Sequence, residues 1–321
     1  MFEIFGLPAQ ALFSQLLLGL INGSFYALLS LGLAVIFGML NIINFSHGAQ
    51  YMMGAFAAYL LLNGFDLPIP QFSQGPSASW LPAIVFKHID PGLNYWWALI
   101  LAPIIVGMTG IVIERLFLKH LRNLDPLYGL LLTFGLALVI QGLFQNVYGS
   151  SGLPYQVPNA LREGRHLGFM YLPNYRAWVI VFSLLVCLTT WFAIERTRLG
   201  SYLRAATENP ILVRAFGINV PRMITLTYGI GVGLAGLAGV MAAPIYNVSP
   251  LMGSDLIIVV FAVVVIGGMG SIMGAILTGF ALGIVEGLTK VFFPEASNTV
   301  IFVIMAIVLL VRPAGLFGRT A

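Results

Sequence analysis

The residues best equipped for chemistry lie in one stretch, Asn41-Ile-Ile-Asn44-Phe-Ser46-His47-Gly48-Ala-Gln-Tyr-Met-Met-Gly54. Amides, a hydroxyl and an imidazole supply hydrogen-bond donors and acceptors, but they do not make a catalytic set. Ser46 and His47 are sequence neighbours, which point apart on a helix and so do not form a nucleophile and base. His47, His88, His120 and His166 are widely separated, and neither His-Glu-x-x-His nor Gly-x-Ser-x-Gly occurs. No Gly-Lys dipeptide occurs either, so no phosphate-cradling loop is available to hold a nucleotide. The chain reads as a non-enzyme with no metal site. What Asn41, Asn44, Ser46, His47 and Gly48 can do is solvate a polar solute in a place that otherwise lacks water. His47 has two readings: a packing residue satisfied by neighbouring helices, or a residue lining that route. Proton relay is disfavoured because its span has no carboxylate to receive the proton.

The place matters because apolar sequence runs into this stretch from Ala9 and out of it to Leu62. The whole chain of 321 residues is 59% hydrophobic and only 8% charged, against about a quarter charged in soluble domains. We therefore expect an all-α polytopic membrane protein forming one domain over 1–321, with about eight to ten crossings at about 20 residues each. Bare amides at membrane depth cost several kcal/mol unless protein or water satisfies them, which predicts a broken helix facing a bundle interior or polar pathway. Expected spans are 9–30, 33–62 with its break around Asn44–Gly48, Tyr95 to Arg115, 127–148, 177–194, 223–243, 254–272, 274–290 and 298–311. Asn22-Gly23-Ser24 is a small notch in the first span, for packing or pathway. Glu286 is read as a carboxyl reaching the external headgroups, and Cys187 as a packing residue.

Residues 63–94 hold Pro68, Pro70, Pro76, Pro82 and Pro91, so they read as an external loop with a short surface helix around Trp80–His88. Residues 149–176 form a second external loop. Gly231-x-Gly233-x-x-Gly236 matches a dinucleotide fingerprint in letters alone; inside an apolar span it reads as a helix-packing face. Gly279, Gly283 and Gly287 repeat that pattern. Gly267-Gly268-Met269-Gly270 favours a bend, either a second break lining the pathway or a turn between two spans.

The sizeable polar segment, 199–222, is punctuated as two short helices. Asn209 can cap and Pro210 can occupy the first turn of the second helix, which Gly217 can end. Ten basic residues (Arg115, Lys119, Arg122, Arg196, Arg198, Arg204, Arg214, Arg222, Arg312, Arg319) fall on one side of this arrangement and five (Lys87, Arg162, Arg165, Arg176, Lys290) on the other. The richer side is assigned to the cytoplasm, with the N-terminus outside and the C-terminus inside. The net charge of +4 is thus a matter of orientation rather than of nucleic-acid binding.

Four pieces carry a family resemblance: Asn44-Phe-Ser-His-Gly-Ala-Gln-Tyr-Met-Met-Gly-Ala-Phe56, Glu208-Asn-Pro-Ile-Leu-Val-Arg-Ala-Phe-Gly-Ile-Asn219, Gly233-Leu-Ala-Gly-Leu-Ala-Gly-Val-Met-Ala-Ala-Pro244 and Val263-Val-Val-Ile-Gly-Gly-Met-Gly-Ser-Ile-Met-Gly-Ala-Ile-Leu-Thr-Gly-Phe280. In these the chain resembles the H-type permease subunits of the branched-chain amino acid family of ABC importers. The resemblance implies a multi-pass protein of the bacterial inner membrane and a related second permease. It also implies two cytoplasmic ATPases that hold ATP and magnesium, and an extracytoplasmic solute-binding protein. This chain itself would hold no cofactor. It further implies that Arg204, Ala205, Ala206, Glu208, Asn209, Pro210 and Gly217 belong to a cytoplasmic helix pair coupled to an ATPase, with Arg204-Ala-Ala where importers often show Glu-Ala-Ala. Ala49, where many relatives carry an acid, and the long loop 63–94 leave the solute open between branched-chain or other amino acids and urea or short-chain amides. A stand-alone secondary transporter or channel is the rival reading.

Overall fold

A run without proline or charge from Ala9 folds as one 32-residue helix, α1 (Ala9–Leu40). The computed structural model describes residues 3–4, 7–40, 43–71, 83–121, 124–166 and 171–318; Asn41, Trp80, Arg122 and Arg319 lie outside them. Ahead of α1, β1 (Glu3–Ile4) pairs with β2 (Leu7–Pro8). The expected division into spans 9–30 and 33–62 is therefore corrected: α1 runs straight through residues 30–33. The notch does not interrupt it, because Ser24 Oγ donates back to Leu20 O at 2.9 Å and the Asn22 amide is paired sideways with Glu286. The break falls after α1, and the second helix is α2 (Ser46–Asn63).

The expected surface helix around Trp80–His88 is also corrected. Residues 83–89 form β4 (Ala83–Ile89), antiparallel to β3 (Phe65–Gln71), with Phe65 opposite Ile89. A two-stranded ribbon has only edge strands, where Pro68 and Pro70 are tolerated, and the β-branched Ile84, Val85 and Ile89 favour extended backbone.

Asn94 caps α3 (Tyr95–Ile113) by accepting from Trp96 N and Trp97 N. That helix does not leave the bundle at Arg115; a π-helical turn, Glu114–Leu118, continues it into α4 (Lys119–Leu121). Asp125 caps α5 (Pro126–Tyr148), with Pro126 in the first turn as expected. β5 (Gly164–His166) and β6 (Tyr171–Pro173) form a third ribbon before α6 (Asn174–Arg196). The polar segment then gives α7 (Arg198–Glu208) and α8 (Pro210–Ala215). The last helices are α9 (Val220–Ala242), α10 (Met252–Gly267), α11 (Ile272–Phe292) and α12 (Val300–Val311).

Helices dominate, and six among the described residues are long and apolar enough to cross a membrane. α2 has 18 residues but a polar first turn, while α10 and α12 are shorter, at 16 and 12 residues. The protein is thus an all-α, multi-pass membrane protein. α1 lies at its centre, 83% of its apolar window being buried, whereas the windows of α5 and α6 are only 11% and 17% buried. Apolar faces left uncovered on α5 and α6 suit lipid or another membrane chain.

Glycine sets the approach of the central helices. Gly19 lies against Gly283 and Gly287, and Gly23 against Gly279 and Gly283, so α1 and α11 run antiparallel with backbones in contact. The fingerprint-like glycines of α9 do the same: Gly231 faces Gly32, Gly233 faces Pro103 and Gly236 faces Gly54. Between α10 and α11, Gly268 (φ 99°) and Gly270 (φ 83°) hold left-handed backbone, so this stretch forms a tight turn at the end of the bundle where α1 also ends, Gly270 lying beside Gly38.

Replacing Gly283 by Ala forces a Cβ into the Gly23 backbone and is expected to cost about 1–3 kcal/mol. Gly135→Ala on α5, where nothing lies within 4 Å, is expected to be neutral or to gain up to about 1 kcal/mol from helix propensity. Unfolding of the two variants in detergent checks the contrast, and equal stabilities would contradict backbone contact between α1 and α11.

Candidate functional site

The head of α2 is built by a side chain standing in for the missing helical turn. Asn44 Oδ1 accepts from Ser46 N at 3.1 Å and from Ser46 Oγ at 2.6 Å, so the polar side chain itself starts the helix. Its amide nitrogen donates to Tyr228 OH on α9 at 3.1 Å. One turn on, Gln50 Nε2 lies 3.2 Å from Ser46 Oγ and 3.3 Å from Tyr228 OH. On the α5 side, Thr133 Oγ1 accepts from Phe45 N at 3.2 Å and sits 3.1 Å from Ile43 O. His47 Nε2 lies 3.1 Å from Leu29 O of α1. Asn44, Ser46, His47, Gln50, Thr133 and Tyr228 are each at most 1% exposed. Three long helices thus enclose a polar inclusion in an apolar bundle.

The inclusion is close to self-sufficient. His47 Nδ1 and Gln50 Oε1 have no hydrogen-bond partner as the amide is placed, yet Gln50 lies within hydrogen-bonding reach of the His47 ring. Gly48 serves packing: a Cβ there would strike the Gly253 carbonyl and Ile257, so its absence lets α10 cross α2. Of the five residues expected in this site, Asn44, Ser46, His47 and Gly48 are brought together, and Asn41 lies outside the described residues.

A second buried polar group forms around Glu286, which the sequence reading placed at the external headgroups. Glu286 is 5% exposed rather than reaching headgroups. It accepts from Tyr26 OH at 2.7 Å and from Asn22 Nδ2 at 3.2 Å, both on α1, and pairs with Lys290 one turn away. Tyr246 OH, beyond α9, donates to Asn22 Oδ1 at 2.6 Å. Burial of one carboxylate is offset by these three donors. The sequence signal for it is the i, i+4 pair Glu286 and Lys290 facing the notch at Asn22. Glu114, expected to emerge with Arg115, is likewise fully buried and accepts from Thr225 Oγ1 at 2.6 Å. Cys187 is buried, as a packing residue should be.

The remaining candidates sit at the end of the bundle where α1 terminates. Asn209 accepts from Leu212 N at 3.0 Å and caps α8, Pro210 fills its first turn, and Gly217 takes φ 81° beyond it. α7 buries Gly200, Leu203 and Ala206 against the bundle, while Ala205 and Glu208 are exposed. Arg204 pairs with Glu195 at 3.0 Å. Gly267, Gly268 and Gly270 make the turn already described, not an interruption within a span.

The sequence matches the family described as branched-chain amino acid transport system / permease component over residues 15–309. It is 29% identical over 321 residues to the high-affinity branched-chain amino acid transport system permease protein LivH of Escherichia coli K12, covering 95% of each chain. It is 30% identical over 311 residues to the corresponding protein BraD of Pseudomonas aeruginosa, again covering 95% of each. With LivM of Escherichia coli K12, a permease protein of the same transport system, it shares 27% identity over 321 residues, 92% of this chain and 68% of LivM. No solved structure matches.

Tyr228→Phe removes the hydroxyl that two buried amides share and is expected to cost about 1–3 kcal/mol. Adding Gln50→Leu, which withdraws one stranded donor, should recover part of the loss. Thermal unfolding in detergent reads both, and an unchanged midpoint for Tyr228→Phe would mean that the amides do not depend on this hydroxyl.

Proposed function

The chain belongs to the family of branched-chain amino acid transport permeases, and from that premise we propose that it is one permease subunit of an ATP-driven amino acid importer. A related LivM-like permease completes the transmembrane unit, two cytoplasmic ATPases drive it, and an extracytoplasmic binding protein delivers the solute. ATP and magnesium act on the ATPases, since this chain has no Gly-Lys loop to hold phosphates. Branched-chain amino acids are the leading solutes, with urea and short-chain amides the alternative.

The observation that carries the reading is the helix pair α7–α8. It lies outside the long apolar helices, yet its exposed side chains include Ile211 at 79% and Phe216 at 77% exposure. Large apolar residues presented this way in a polar segment suit burial in a partner's groove. The opposite face of α7, through Leu203 and Ala206, packs on the bundle, so a push on α8 reaches the membrane helices through a short rigid lever.

In this scheme ATP binding on the partners moves Arg204 to Pro210 as a unit, with Asn209 and Pro210 fixing the corner and Gly217 allowing the chain to turn back towards α9. The bundle then tilts about its glycine contacts and alternates access to a route flanked by Asn44, Ser46, His47 and Gly48. His47, tied to α1 through the Leu29 carbonyl, sets the spacing of α1 and α2 beside that route.

Ile211→Asp with Phe216→Asp is expected to lower ATPase co-purification at least tenfold while leaving the permease monodisperse, both side chains being exposed. Replacing Asn209-Pro210 by Gly-Gly should keep assembly but reduce stimulation of ATPase activity by loaded binding protein severalfold. Uptake that survives loss of the ATPases would point instead to a stand-alone transporter. A cognate binding protein whose melting temperature rises with urea or acetamide, but not with L-leucine, would move the solute to the amide class.

A further inference from the structure

Under α7 lies a cavity of about 550 Å³, within the roughly 300–1,000 Å³ usual for small-molecule sites. It is bounded by the end of α1, the junction of α6 and α7, the glycine turn between α10 and α11, and the segment after α12. Its charged lining groups are Glu195 and Arg204, one of each sign. The Thr207 and Ser271 side chains also line it, and Val35, Phe37, Leu203 and Phe317 give it an apolar side.

The ion pair leaves valences open. Arg204 uses a single terminal nitrogen, Nη1, for both its bonds, to Glu195 Oε2 at 3.0 Å and Ile194 O at 3.2 Å. Nη2 and Nε therefore keep donors that can meet a carboxylate side-on. Glu195 Oε1 keeps an acceptor for an ammonium. Both side chains are partly exposed, at 42% and 49%, so a solute can reach them. An adjacent guanidinium and carboxylate with an apolar wall match a zwitterion that carries an apolar side chain. A solute with net charge would leave one partner uncompensated, and a neutral amide would leave both without an ionic counterpart.

We infer that this cavity is a cytoplasmic-side binding site for neutral α-amino acids with apolar side chains. Arg204 takes the carboxylate, Glu195 the ammonium, and Val35, Phe37 and Phe317 the side chain. The inference rests on the amino acid reading above and adds to it a second place for the solute, at the end of the bundle where α1 terminates.

The test uses the complete complex of permeases and ATPases in nanodiscs without binding protein, titrated with radiolabelled L-leucine. Saturable binding is expected, weakened at least tenfold for leucine methyl ester, which lacks the carboxylate, and for N-acetyl-leucine, which lacks the ammonium. Glu195→Gln should weaken L-leucine at least tenfold and bring 4-methylpentanoate, the same molecule without its amino group, to within severalfold of it. In the unaltered complex, photo-leucine should label the peptide holding Val35 and Phe37 or that holding Phe317, a readout that does not depend on any variant folding. No binding, binding indifferent to Glu195→Gln, or labelling confined to other peptides would overturn the inference. ATP-driven L-leucine uptake with binding protein, measured on the same preparation in proteoliposomes, separates the two claims. Uptake without cavity binding sinks only this site, whereas absent uptake sinks the amino acid reading itself.

Discussion

The architecture depends on direct backbone contact between α1 and α11. In a bilayer the lipid tails are as apolar as leucine, so burial of side chains gives little net drive to associate and close packing must supply it. Gly19 and Gly23 on one helix, with Gly279, Gly283 and Gly287 on the other, remove the Cβ atoms that would hold the axes apart. Once α1 is fixed, α9 joins through Gly32 and Gly231, and α2 follows through Gly54 and Gly236. Each later contact uses a surface that the previous one has positioned.

That tightness decides how polar groups can be tolerated. The inclusion at the head of α2 and the Glu286 group both recruit partners from distant parts of the chain, Tyr228 in one case and Asn22, Tyr26 and Tyr246 in the other. Neither group could exist in an isolated helix without large desolvation costs. Both therefore report the assembled bundle.

Much of this was legible in the sequence. Local rules located α5, capped by Asp125 and opened by Pro126, and the α7–α8 pair, with Asn209 and Gly217 where capping chemistry puts them. The break near Asn44 was legible because amides at membrane depth demand an explanation. The span boundary expected at residues 30–33 was not: no charged residue or proline interrupts the chain there, and α1 runs on to Leu40. The partners Tyr228 and Thr133 were invisible, since they lie far along the chain and nothing in an apolar span marks one tyrosine or threonine as facing an amide. The β3–β4 ribbon was missed because prolines that forbid a helix also weaken a strand, and only the pairing of residues 65–71 with 83–89 resolves the ambiguity.

Beyond α12 the chain folds back onto the α10–α11 turn, where Leu316 N donates to Ile266 O at 2.8 Å and Phe317 N to Gly267 O at 3.2 Å. The C-terminal carbonyls of α10 thus take their donors from residues made much later. During synthesis α10 and α11 enter the membrane with this end of α10 still looking to water for hydrogen bonds, and it is sealed only when residues 316 and 317 leave the ribosome. Final closure of this end of the bundle therefore waits for the segment that follows α12, and until that segment docks the α10–α11 turn stays open to water.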